Sequence, residues 1–221
     1  MSGQPPTPSG SPTNADRRRT NPFRSSRIVP GAVDYFFSPK TSETSVGPAS
    51  VAEVMDALRQ LKWRGAIVGA HGTGKSSLLA ALLPALNDAG KMCALFELHD
   101  GQRKLDWAKV DEAAAKILVI DGYEQLSLWQ KSKLRRFCER KELGLLVTAH
   151  AAQRGLPVVV STQADDEVAA AVLEQLLQHE PELLPLASRL AKDLLPKHDG
   201  NLREVLFALY DAYEDGKLRL Q

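Results

Sequence analysis

Cysteine is scarce in this chain, and so are excess charge and long apolar runs. Only Cys93 and Cys138 occur in 221 residues, both inside apolar-patterned segments, which excludes a disulfide framework. The five histidines (His71, His99, His150, His179, His198) never recur at i, i+3 or i+4, which argues against zinc sites of the HExxH or Cys/His kind. Lys and Arg number 28 against 27 Asp and Glu, a net charge of +1, so no global basic excess marks a nucleic-acid binder. No apolar run approaches the 18 or so residues of a membrane span. The opening MSGQPPTPSGSP lacks a charged stretch followed by an apolar one, so it does not read as a secretory signal. The expectation is a soluble protein of the reducing cytoplasm, large enough to bury a core without covalent or metal staples.

Punctuation and periodicity divide the chain into four parts. Residues 1–20 carry four prolines, the Arg17–Arg19 run and no Ile, Leu, Val or aromatic residue, a composition that cannot repay its ordering entropy and predicts a disordered tail. Residues 21–48 contain Phe23, Ile28, Val29, Tyr35, Phe36 and Phe37, and read as an extended arm whose aromatic residues dock on the protein's own core. Ser50 and Glu53 have capping-box spacing ahead of a helical apolar period at Val51, Val54, Met55, Leu58 and Leu61. Short apolar strands follow at 66–68, 92–98, 116–120, 145–148 and 158–160, separated by helices at 75–88 and 126–141. Pro84 predicts a kink in the first of these helices. Continuous apolar strands alternating with helices indicate a parallel sheet covered on both faces, a core over about 49–161.

Past Thr162 the strand signal stops. Thr162 is expected to cap a helix whose first turn holds Asp165, Asp166 and Glu167. Pro181 suits the start of a second helix ending near Leu195, and Leu202, Val205, Leu206, Leu209 and Tyr213 mark a third, stopped by Gly216. Residues 162–216 therefore read as a small helical appendage.

The most specific signal is Gly69-Ala70-His71-Gly72-Thr73-Gly74-Lys75-Ser76, which matches G-x-x-x-x-G-K-[ST] at every fixed position. It follows a strand and opens a helix. Glycines let backbone N–H groups converge on phosphate oxygens at the positive end of that helix. Lys75 offers a point charge to the β- and γ-phosphates and Ser76 a hydroxyl to Mg²⁺. With Ser77 in the first helical turn, residues 69–77 form the expected nucleotide-binding set. The second signal is Ile117-Leu118-Val119-Ile120-Asp121, four apolar residues that deliver a carboxylate to a strand end, where Asp121 would hold Mg²⁺ through its water shell.

In these two motifs the chain resembles P-loop NTPases with an additional sheet strand, among them AAA+ and STAND ATPases. The resemblance implies a three-layer parallel-sheet α/β core with a helical lid-like subdomain, and ATP with Mg²⁺ as ligands. In most such proteins a glutamate directly follows the aspartate and polarises the attacking water. Here the order is Asp121-Gly122-Tyr123-Glu124, and Glu124 is the nearest replacement. At the end of the 145–148 strand, Thr148 resembles the AAA+ sensor-1 position and His150 the switch histidine of ABC ATPases. Gly200-Asn201-Leu202-Arg203 resembles the G-N-x-R of AAA+ lids, with Arg203 reaching the nucleotide.

A GTPase is disfavoured: Thr162-Gln163-Ala164-Asp165 lacks the lysine of a guanine-reading motif, and no LSGGQ-like signature supports an ABC protein. Two functions stay open. One is a Mg-dependent ATPase that drives a conformational change in a protein partner or a homo-oligomer, with Arg135, Arg136 or Arg140 as candidate arginine fingers. The other is a nucleotide-gated interaction switch with little hydrolysis. The basic helix bearing those arginines, with Lys131, Lys133 and Lys141, could instead touch nucleic acid. No membrane association is expected.

Overall fold

A computed structural model describes residues 21–38 and 48–218, so the tail expected over 1–20 and the stretch 39–47 of the arm lie outside the described residues. The strands are β1 (Arg64–Val68), β2 (Cys93–Glu97), β3 (Ile117–Asp121), β4 (Gly144–Ala149) and β5 (Val158–Ser161). They form one parallel sheet in the order β2-β3-β4-β1-β5. Strand β4 thus lies between the loop strand β1 and the aspartate strand β3. Both central strands are buried on both faces, as their unbroken apolar sequences require: β4 is buried throughout and β3 up to Asp121.

One face of the sheet is covered by α1 (Val51–Gln60) and α2 (Lys75–Asp88). Ser50 caps α1 by accepting from the Glu53 N–H at 3.2 Å, and Glu53 Oε2 in turn accepts from the Ala49 N–H at 2.9 Å. Helix α2 continues through Pro84, which occupies an exposed position. The other face packs against α3 (Trp107–Glu112) and α4 (Leu128–Arg140). Helix α3 is a finding that the apolar pattern does not signal; it is six residues long, capped by Asp106, and buries only Val110. Helix α4 begins two residues later than its apolar pattern suggests, because Ser127 caps it by accepting from the Gln130 N–H.

Helices α5 (Asp166–Leu176), α6 (Leu184–Leu194) and α7 (Leu202–Glu214) form the helical appendage, with their own apolar cluster around Leu173, Ala187, Val205 and Leu209. The expected cap of α5 is corrected here. Asp165, not Thr162, accepts from the Val168 N–H at 2.8 Å. Thr162 is 3% exposed and its hydroxyl lies 2.7 Å from that of Thr73, so it serves the loop instead.

The arm docks on both bodies. Phe23 is fully buried among the appendage helices, and Phe36 packs against the same cluster. The Asn21 amide donates to Tyr210 O at 3.2 Å and Glu214 Oε1 at 2.8 Å, both on α7. The Asp34 N–H donates to Gln175 Oε1 on α5 at 3.0 Å. Tyr35 and Phe37 meet edge to face at 4.8 Å and pack against the cluster shared by the sheet, α1 and α2. The fold is that of an additional-strand P-loop NTPase, three layers thick, with a helical C-terminal lid.

Candidate functional site

Parallel strands end on the same edge, and here that edge collects every residue type the sequence singles out. The register pairs Val68 with Ala149, Ile120 with Val147, and Glu97 with Asp121. The loop of residues 69–74 therefore leaves β1 beside the end of β4, with Asp121 one strand further on. The Lys75 ammonium donates to Gly69 O at 2.8 Å and Ala70 O at 2.7 Å. The Thr73 hydroxyl donates to Ala70 O at 2.9 Å, closing the loop on itself. Burial pulls the pKa of Lys75 below its usual value, and the Arg203 charge adds to that; Glu124 and Asp121 oppose it.

Asp121 and Thr148 act as a unit. The Thr148 hydroxyl donates to Asp121 Oδ1 and accepts from the Gly122 N–H at 2.9 Å, which fixes the carboxylate across two neighbouring strands. Gly122 has φ +82°, and a Cβ there would lie 2.6 Å from Leu98 O. A glutamate next to Asp121 would be strained in backbone and clashing in space. The chain instead places Glu124 in a short 3-10 turn (Tyr123–Gln125) from which it lines the cavity. Its Oε1 lies 3.2 Å from His150 Nε2, and its buried Oε2 has no partner among the described residues. His150 also stacks on His71 of the loop, with ring centroids 3.8 Å apart.

The lid reaches the loop through the turn before α7. Asn201 caps that helix by accepting from the Glu204 N–H. Its side chain rests against Gly72, where φ is +69° and a Cβ would come within 1.7 Å of Asn201 Oδ1. Glycine is required there twice over. Arg203, two residues on, lines the cavity opposite Lys75. On another side the arm closes in, with Tyr35 Cε2 3.1 Å from a Cβ built at Gly74. Burial, and the charge of Asp165 after it, push the Tyr35 phenol up to about 12, so it remains neutral at ordinary pH.

Together these elements enclose about 710 Å³, within the usual 300–1,000 Å³ of small-molecule sites. The cavity has two chemically distinct ends. One carries residues 71–77, Asp121, Glu124, Thr148, His150 and Arg203. The other is apolar, lined by Ile28, Val29, Val33 and Phe36 of the arm with Val168, Val172, Leu202 and Leu206 of the lid. Gly69 and Ala70 contribute through the carbonyls that hold Lys75. The apolar end is what the sequence reading missed: the aromatic arm was legible, its place at the loop was not.

The fold and this site define a class, the P-loop NTPases with an additional strand and an AAA+-like lid, at the level of architecture. No family model and no curated protein matches the chain. Among solved structures, a DNA replication initiation factor shares 16% identity at TM-score 0.50, over 83% of this chain and 67% of that one. A replication initiator DnaA bound to AMPPCP and single-stranded DNA shares 16% identity at TM-score 0.48, over 73% of this chain. A Thermotoga maritima RuvB Holliday junction branch migration motor shares 11% at TM-score 0.43, over 73% of this chain and 67% of that one. The chain spans 59% of the length of the DnaA structure. At these identities the likeness is one of fold.

Among the described residues no helix is long and apolar enough to cross a membrane, and no cluster of three or more His, Cys, Asp or Glu residues could hold a metal.

His150 makes the site pH-sensitive. Its pKa lies below the ordinary 6.5, chiefly through burial, with His71 and Lys75 adding to the shift and Glu124 and Asp100 opposing it. Just below pH 6.5 the unfolded chain therefore binds a proton at this position that the folded chain refuses. Stability is full above that pH and declines as the pH falls through the folded value. Denaturant midpoints measured from pH 7.5 down to 5.0 are expected to fall, and His150→Asn to flatten part of that slope. An unchanged slope in the variant would assign the pH dependence elsewhere.

Proposed function

We propose that this chain binds ATP with Mg²⁺ in the cavity between loop, lid and arm, and hydrolyses it. The observation that carries the reading is the two-ended cavity. Its polar end holds a complete phosphate loop on a helix N-terminus, and its apolar end offers a flat base a dry surface. The residues fit the ligands. Gly72 leaves the loop backbone open to close approach, and Ser76 and Asp121 line one cavity as an oxygen pair suited to a hydrated Mg²⁺. Bound Mg²⁺ would neutralise charge between the phosphates. Lys75 and Arg203 bring positive charge from loop and lid, the placement that phosphoryl transfer mainly needs. Glu124, whose Oε2 is otherwise orphaned, takes the role of base towards water, and His150 orients it through Oε1.

A second reading has its own observation. Because Gly122 cannot yield to glutamate, the base sits three residues from Asp121 and is engaged by His150, an arrangement suited to slow turnover. The protein would then act as a nucleotide-gated switch, with Asn201 against Gly72 reporting the state of the loop to the lid and so to a protein partner or a second copy of the chain.

Thermal unfolding tests binding directly. At a hundredfold the dissociation constant, ligand adds about 2.7 kcal/mol. For a chain of this size that is a shift of roughly 5 to 11 °C. ATP with Mg²⁺ is expected to give it, GTP much less, and Lys75→Ala to abolish it. No shift with any nucleotide at millimolar concentration would overturn the proposal.

A further inference from the structure

Away from the cavity, α4 presents a face that the core does not use. Its buried side chains are Gln130, Leu134, Phe137 and Cys138. On the opposite side Trp129, Ser132, Lys133, Arg136 and Arg140 recur at helical spacing and line a concavity of about 370 Å³. Trp129 is 67% exposed, and Leu128 beside it 85%. The Lys133 ammonium lies 3.8 Å from the ring centre of Trp107 and 5.5 Å from that of Trp129, which holds the indole in the line of cations. Arg136 and Arg140 are exposed and make no ion pair among the described residues. The helix's one acid, Glu139, is paired with Arg64 at 3.2 Å. At the other end, the Ser127 N–H donates to Arg103 O at 3.3 Å, which brings exposed Arg103 and Lys104 beside the start of α4.

We propose that this face of α4 binds a single strand of nucleic acid, with the Trp129 indole stacking on an unpaired base and Lys133, Arg136 and Arg140 following the phosphates. Single-strand sites combine a cationic track with an aromatic platform, and this face has both on one stripe. From Trp129 to Arg140 it runs about 16 Å, long enough to meet several phosphates. An acidic peptide would satisfy the cations but give the indole no flat partner; a duplex would keep its bases stacked out of reach. The near-zero net charge of the chain is no obstacle, because the cations here are gathered on one helix face.

The test is fluorescence anisotropy of labelled single-stranded oligothymidylate and oligoadenylate with the full chain, beside a duplex of equal length and polyglutamate. Binding to the single strands is expected, weakening steeply with salt. Trp129→Ala should lower affinity roughly five- to a hundredfold. The double variant Arg136→Ser, Arg140→Ser should lower both the affinity and the salt slope. These side chains are exposed, so circular dichroism should show unchanged folding. Oligonucleotide affinity indifferent to Trp129→Ala overturns the proposal. Equal binding of duplex and single strand also overturns it, as does polyglutamate binding as tightly as the oligonucleotides. Self-association that Trp129→Ala removes, with no oligonucleotide bound, would make the face a contact between copies and refute it too.

Discussion

Glu124→Gln is expected to slow phosphate release from ATP by a factor of about 10² to 10⁴, the usual worth of a positioned general base. Glutamine keeps the shape of the side chain and an oxygen for His150, so the nucleotide-induced rise in melting temperature should survive. Loss of turnover with retained binding separates this role from that of Lys75, whose removal should cost binding itself. The argument rests on the neighbouring residues: Gly122 is barred from bearing a side chain by Leu98 O and its φ of +82°, and Asp121 is held by Thr148. Glu124 is the carboxylate left with a buried, unpartnered oxygen at the cavity wall. Turnover in Glu124→Gln equal to that of the parent would remove Glu124 from the chemistry. A parent with no measurable turnover but a clear ATP-induced shift would favour the switch reading.

The second large effect is on stability. Phe23→Ala is expected to destabilise the fold by about 3–5 kcal/mol, the cost of emptying a fully buried phenylalanine site. That corresponds to a fall of roughly 6 to 20 °C in melting temperature. Phe23 is fully buried among the helices of the lid, far along the sequence from any of them, and the Asn21 amide beside it holds α7 at two points. The same variant should weaken ATP binding, because the arm that it loosens supplies one wall of the apolar end. A loss below 1 kcal/mol by chemical denaturation would mean that the arm is not docked in solution.

The contrast between these two predictions shows which features the sequence could reveal. The loop at 69–77 was readable because its chemistry is local: turn, phosphate contact and helix start fall within nine residues. The strands were readable because burial on both faces writes an unbroken apolar run. Helix α3 was not, since Trp107–Glu112 buries one side chain and has too few residues to show a period; Asp106 as a cap was the signal available. Thr162 read as a helix cap because a threonine after a strand has the right chemistry. Only the tertiary approach of Thr73 shows that its hydroxyl is used elsewhere. The pairing of His71 with His150 lies between the loop and the far end of β4, and no spacing rule connects them. The arm's aromatic content advertised docking, but which surface it would meet depended on how lid and sheet close around it.

The path of that arm has a mechanical consequence. From Asn21 and Phe23 on the lid it runs to Asp34 at α5 and then to Tyr35 against the loop at Gly74. A load applied to the chain ahead of Asn21 would be borne first by the Phe23 anchor in the lid, then by the Asp34–Gln175 pair, and last by Tyr35. The nucleotide pocket would open from its apolar end while the phosphate loop still held. Under tension, the base would be surrendered before the phosphates.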